Sequence, residues 1–170
     1  MVKGLKQTSA PIVISFEVTE TVLNTFTEAQ IAMQLNVLDR EVMVVTGVDL
    51  DVSTPSAVAG VNTITTGSLS STSRTSVGTL ADSNVLAVAA DSIRAAGFVD
   101  GGVAFSSSFG ETPAPGMDYL NIIATNDFFI QIIGAGNLGT STLNGKLYCY
   151  RAVAEASVFA ALTQSELLSA

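Results

Sequence analysis

Hydrophobic positions along this chain recur mostly with a period of two. In Glu41–Ser53 (EVMVVTGVDLDVS), Val42, Val44, Thr46, Val48, Leu50 and Val52 alternate with Met43, Val45, Gly47, Asp49 and Asp51. Such alternation marks a strand whose successive side chains face opposite sides. The first half is apolar on both sides and the second half is polar on one. The pattern therefore predicts one long strand, buried on both faces at its start and half solvated at its end. Pro11–Val18 (PIVISFEV) and Glu28–Asn36 (EAQIAMQLN) read as further strands. In Thr140–Ala154, Leu143, Gly145, Leu147, Cys149 and Arg151 alternate with Asn144, Lys146, Tyr148 and Tyr150.

Tyr119–Asn137 (YLNIIATNDFFIQIIGAGN) is the most apolar stretch and carries a single charge, Asp127. A membrane helix is excluded on two grounds. An Asp at mid-bilayer costs about 2.5–3.5 kcal/mol on insertion scales, and the flanking β-branched and aromatic residues favour strands. Thr125-Asn126-Asp127 is turn chemistry. A β-hairpin or kinked pair of strands is predicted, over 119–124 and 127–133.

Ser53–Asn62 reads as a loop. The Ser/Thr-rich tracts Thr63–Ser73 and Arg74–Leu80 read as extended strands facing water or a neighbouring subunit. The segment DSNVLAVAADSIRAAG predicts a helix, with Asp82 or Ser83 as its cap, Val85, Ala89 and Ile93 on one face and Gly97 as its stop. Val103–Phe109 predicts a short strand followed by a Pro/Gly loop. The tail EASVFAALTQSELLSA predicts an amphipathic helix with Val158, Ala161, Leu162 and Leu168 inward. No fixed repeat is present. These elements predict an all-β, jelly-roll-like antiparallel sandwich of about eight strands, with one short inserted helix and a C-terminal helix. Its expected division is a flexible leader over 1–10, the sandwich over 11–156 and a tail over 157–170.

Composition bears on function. Charged residues are 13% of the chain, against about 25% in ordinary soluble proteins, and mean hydropathy is +0.48. A chain with so few charges covers itself most simply by burying surface against copies of itself. The balance of 7 basic against 15 acidic residues gives a net charge of −8. The basic residues are scattered singly, which argues against direct nucleic-acid binding, since that needs clustered cations. No signal peptide is visible at the N-terminus.

The chain has no histidine. That removes Ser-His-Asp and Cys-His nucleophile activation and the histidine-based metal sites. Cys149 is the lone cysteine and reads as a small apolar packing residue. GAGNLG (134–139) precedes a strand rather than opening a helix, so it lacks the context of a nucleotide loop. No enzyme and no resident cofactor are expected. Asp49 and Asp51 lie on one side of a strand and would hold Ca²⁺ if a third carboxylate joined them. Arg40, Lys146 and Arg151 are candidates for inter-subunit ion pairs that fix register. A surface-binding module would need exposed aromatics, for which Phe98, Phe105, Phe109 and Tyr119 are candidates.

Together, REVMVVTGVDLDV, DSNVLAVA, DYLNIIATNDFFIQIIG and GKLYCYRAVAE resemble the single jelly-roll capsid proteins of tailless icosahedral viruses, marine and environmental ones in particular. The similarity spans about Glu28 to Glu155 and lies in strand order and texture. It implies a major capsid or coat subunit that assembles with itself through pentamers or hexamers, with other virion proteins as further partners and the virion as its location. The chain departs from RNA-virus coats in lacking a basic N-terminal arm. Inter-subunit contacts are expected from the leader, the Ser/Thr tract and the tail. The alternatives are a carbohydrate- or surface-binding sandwich of the phage-fibre or adhesin type, and a tail-tube or other shell subunit.

Overall fold

The computed structural model describes residues 2–98, 105–110 and 116–169. Along the chain run β1 (Leu5–Gln7), β2 (Ile12–Thr19), β3 (Thr27–Ala32), β4 (Glu41–Val52) and β5 (Thr63–Ser70). Then come β6 (Val85–Arg94), β7 (Phe105–Gly110), β8 (Asn121–Ile123), β9 (Asp127–Ala135), β10 (Thr142–Ala154) and the helix α1 (Ala156–Ser169). The antiparallel pairings nest: β5 with β6, outside it β4 with β8, then β3 with β9, then β2 with β10. The chain is thus one long hairpin whose paired arms alternate between two sheets. One sheet runs β2-β10-β4-β8, with β1 continuing the β2 edge, and the other runs β3-β9-β5-β6-β7. This connectivity is a jelly roll.

The main core lies between the sheets. Phe16 and Val18 of β2, Leu143, Leu147 and Cys149 of β10, and Met43, Val45 and Val48 of β4 meet Phe128, Ile130 and Ile132 of β9 and Leu69 of β5. The rings of Phe16 and Phe128 meet edge-on, 5.6 Å between centroids, an arrangement favoured by the ring quadrupoles. Gly145 is required here, since a Cβ on it would sit 2.5 Å from the Phe16 ring and 2.7 Å from the Asp49 carbonyl oxygen.

A second cluster occupies the outer face of the first sheet. Val42, Val44, Ile122, Ala124, Ala152, Ala154 and Leu5 are covered there by Val158, Phe159 and Leu162 of α1. The expected single face of β4 is therefore split. Tyr148 pairs with Gly47 and Cys149 with Val45, leaving Thr46 as an extra residue. This bulge flips the alternation: Val42 and Val44 face the helix, whereas Val48, Leu50 and Val52 face the core. The first half of β4 is nonetheless buried on both sides, as its composition predicts.

Several expectations are corrected. The segment expected as an inserted helix is β6, paired on both sides by β5 and β7. Alanine-rich segments favour helix in isolation, but ladder hydrogen bonds to two neighbours override that preference. The apolar stretch at 119–133 is a kinked pair rather than a hairpin, because β8 lies in one sheet and β9 in the other. Residues 33–36, expected to continue β3, leave the strand and include a left-handed Gln34. Arg74–Leu80 is loop, not strand. In α1, Val158 and Leu162 pack inward, but Ala161 is exposed and Leu168 is 79% exposed. The residue turned inward instead is Glu166. The expected leader contributes β1, which pairs with β10. Val103 and most of the expected Pro/Gly loop lie outside the described residues. Among the described residues, no helix is long and apolar enough to cross a membrane.

Candidate functional site

The antiparallel strands bring the connections 20–26, 53–62, 95–98 and 136–141 to one end of the sandwich. Within these segments the only charged residue is Glu20, which is 4% exposed. Its carboxylate accepts the N–H of Gly134 at 2.7 Å and the N–H of Ser141 at 2.7 Å. Asn137, also buried, donates to the Ile64 carbonyl at 3.0 Å and accepts the N–H of Ser56 at 2.9 Å. Asn24, held left-handed at φ 53°, exchanges hydrogen bonds with the backbone of Asn137. Three loops are thereby tied into one buried polar knot, with their orphan backbone groups satisfied internally.

Above this knot the loops present apolar side chains to solvent. Val22 and Leu23 come from the first, Val61 from the second, Phe98 from the third and Leu138, 76% exposed, from the fourth. The loops that carry them adjoin: Val61 lies beside Gly136, Gly60 beside the Phe98 carbonyl, and Asn24 bonds Asn137. Asn62 Oδ1 accepts the N–H groups of Ala95 and Ala96, each at 3.0 Å. The described residues of these loops thus present an apolar surface without an exposed charge, bordered by exposed Arg94 at the end of β6. The sequence reading missed it. Its signal was present as Val, Leu and Phe residues inside loops otherwise rich in Gly, Asn, Ser and Thr and poor in charge.

The opposite end is built from charges. Arg151 forms an ion pair with Glu41 at 3.1 Å and donates to the carbonyls of Met33, at 2.9 Å, and Gln34, at 3.3 Å. Arg151, expected between subunits, thus clamps the β3–β4 connection within its own chain. Gln30 donates to Asp127, and Asn36 to Asp39. Arg40 is exposed, caps the short 3-10 turn Val37–Asp39 in a left-handed conformation, and lies beside Leu38, which is 94% exposed. Glu166 also reaches this end, where its Oε1 accepts the N–H of Ala124 at 2.9 Å and its Oε2 is buried without a partner. Burial holds this carboxyl above the usual carboxylate range.

Residues 71–84 fold back over the outer face of the second sheet. There the row Glu28, Gln131 and Ser68 crosses three strands. Gln131, fully buried, donates to Glu28 at 2.9 Å and Ser70 at 2.8 Å, and accepts from Ser68 at 2.7 Å. Glu28 in turn accepts from Ser73 Oγ and the Arg74 N–H. Arg74 pairs with Asp82 at 3.0 Å. The Thr79 N–H, followed by Arg74, holds the Asp82 carboxyl below its usual value. The leader, the Ser/Thr tract and the tail, expected to reach other subunits, all pack on their own sheets.

Asp49, Asp51 and Lys146 share the outer face of the first sheet. Lys146 lies opposite Asp49 and Asn144 opposite Asp51. With Ser15 and Glu17 they line an open concavity of about 620 Å³. Tyr148 donates its hydroxyl to Asp49 at 2.9 Å, which holds the phenol above its usual pKa. Among the described residues, no three His, Cys, Asp or Glu side chains converge as a metal site requires, and Asp49 and Asp51 stand as a pair. Burial pushes the Cys149 thiol up to about 11, consistent with a packing role. Phe98 and Tyr119 are exposed at separate places, and the side chains of Phe105 and Phe109 lie outside the described residues. No protein-family model matches this chain, and no curated protein matches it.

Proposed function

We propose that this chain is a structural, self-assembling protein, the major capsid or coat subunit of an icosahedral virus shell. The observation that carries the reading is the apolar end, where the described loop residues expose no charge. Copies that each carry −8 repel one another, and the repulsion is weakest where no charge is presented. At that end five apolar side chains stand exposed on loops already fixed by internal hydrogen bonds. Little conformational entropy is then lost on contact. The jelly-roll connectivity, and the resemblance in strand order and texture, support the same reading.

In this reading the partner is the chain itself, through pentamers or hexamers, with other virion proteins completing the particle. The acidic outer face around Glu17, Asp49 and Asp51 disfavours direct contact with nucleic acid. The protein is made in the host cytoplasm and resides in the virion. Size-exclusion chromatography with light scattering, and negative-stain images of the leading peak, test it. Closed particles, or pentamers and hexamers that convert to them, are expected. A stable monomer at high concentration, with and without salt, overturns it.

A further inference from the structure

β2 lies at the edge of its sheet and pairs, among the described residues, with β10 alone. Natural proteins blunt such edges with bulges, prolines, inward charges or short length. Within β2 there is no bulge, proline or inward charge: its eight residues, IVISFEVT, run without a register shift from Pro11 and carry one charge, Glu17, on the outer face. The direction of its backbone groups follows from the ladder. Thr19 pairs with Thr142, and one step on, the Glu20 N–H donates to the Ser141 carbonyl at 2.9 Å. Hydrogen-bonded pairs alternate in an antiparallel ladder. Even-numbered residues of β2 therefore point their N–H and C=O groups at β10. Those of Val13, Ser15, Glu17 and Thr19 point away from the sheet.

The geometry points to this edge as the seam to a second copy of the chain, with β2 pairing antiparallel to its counterpart across a twofold axis at Ser15. The inference rests on the self-assembling reading above and specifies one of its contacts. The sequence of the strand is self-complementary in that register. Ser15 faces Ser15, Val13 faces Glu17, and Ile12 and Ile14 continue the core row towards Val18 and Phe16. Six N–H···O bonds form, two for each of three pairs. At about 3.4 Å per residue along the strand and about 4.8 Å between strands, the two Glu17 carboxylates stand about 14 Å apart. That exceeds the screening length of about 8 Å at physiological salt. Sliding the register by two residues towards Thr19 brings them to about 8 Å, and by four sets them face to face. Charge thus opposes registers slid towards Thr19, slides towards Ile12 shorten the ladder because Pro11 has no N–H, and the Ser15-centred pairing permits a second, equally acidic copy to dock.

Ser15→Cys tests the register directly. Cα atoms of a hydrogen-bonded pair lie about 5.5 Å apart, inside the disulfide range of about 4.4–6.8 Å, while buried Cys149 stays silent. Under mild oxidation, S15C is expected to give a dimer band. V13C and E17C should give none alone and a dimer when mixed. Ser15→Pro removes an N–H that no intrachain ladder bond uses, so it is expected to fold with near-wild-type midpoint and to lose this contact. If S15C forms oligomers of wild-type size without a crosslink, or E17C crosslinks to itself, the Ser15-centred seam is wrong while the shell reading stands. If light scattering finds only monomer for wild type, the shell reading fails and this inference with it.

Discussion

At one end of the sandwich, the buried Glu20 carboxylate and the Asn24–Asn137 pair satisfy the loop backbone from below, and Val22, Leu23, Val61, Phe98 and Leu138 are left facing solvent. At the other end Arg151, Glu41, Asp127 and Asp39 make their bonds at or near the surface, and the exposed Val37 and Leu38 are followed directly by Asp39 and Arg40. Both ends satisfy polar groups at loop boundaries, but they place the polarity at different depths. Where it is buried, the outer layer is free to be apolar and the loops stay fixed. Where it is superficial, the same chemistry hydrates the end and keeps like-charged copies apart. In the self-assembling reading proposed above, the assembly surface goes with the end whose charge is inside.

Removing the knot gives the largest expected effect. Glu20→Ala strands the N–H groups of Gly134 and Ser141 in a buried site, and breaking such a group is expected to cost about 3–5 kcal/mol in a denaturant titration. Assembly should fail with it, because the apolar loops lose their base. A loss below about 1 kcal/mol would show that water reaches the knot and that the end is not rigid. At the charged end, Arg151→Met removes one ion pair and two carbonyl contacts from a partly exposed side chain. About 1–2 kcal/mol is expected, with particle formation unchanged once the variant is folded. Loss of particles from folded R151M would reverse the assignment of the two ends.

Leu138→Asp separates stability from assembly. The side chain is 76% exposed and touches no part of the knot except through its backbone, so stability should move by no more than about 0.5 kcal/mol. In the self-assembling reading, light scattering should nevertheless show smaller species, since a charge now sits among the apolar loop side chains. Leu38→Asp, the matched change at the charged end, should leave particle size alone. Equal effects of the two would remove the distinction between the ends.

The strands and their loops were legible because burial writes period two into the chain: Leu143 to Cys149 and Val48 to Val52 read directly as faces of one core. Three kinds of feature were not. The bulge at Thr46 has no local signal, since one extra residue preserves the alternation on each side and only the partner strand reveals the shift. The β6 segment carries helix-favouring alanines, and its strand state comes from β5 and β7, both remote in sequence or covered by turn residues. The apolar end is assembled from four separated loops, each of which exposes only one or two large apolar side chains among its described residues. Single exposed apolar residues carry no message alone; adjacency gives them one, and adjacency is a property of the fold.

The smallest expected effect concerns Glu166, which breaks the rule of the charged end because its buried Oε2 has no partner and Asp127 of β9 adds like charge nearby. Desolvation by burial is the main reason its pKa is raised in the fold; the hydrogen bond from Ala124 and the polar groups of Thr125 act in the opposite sense. A raised folded pKa means that the docked helix favours the protonated form. Its contribution is full below the unfolded carboxyl value of about 4.3 and is lost as pH rises through the folded value. Hydrogen exchange at the C-terminal turns of α1 should therefore speed up from acid towards neutral pH beyond the intrinsic chemical trend, with β1, β4 and β10 unaffected. Glu166→Gln keeps an acceptor for the Ala124 N–H and cannot ionise, so the excess should vanish in that variant. If wild type and E166Q share one pH profile, Glu166 is already paired at neutral pH, and the charged end has no uncompensated carboxyl at its helix.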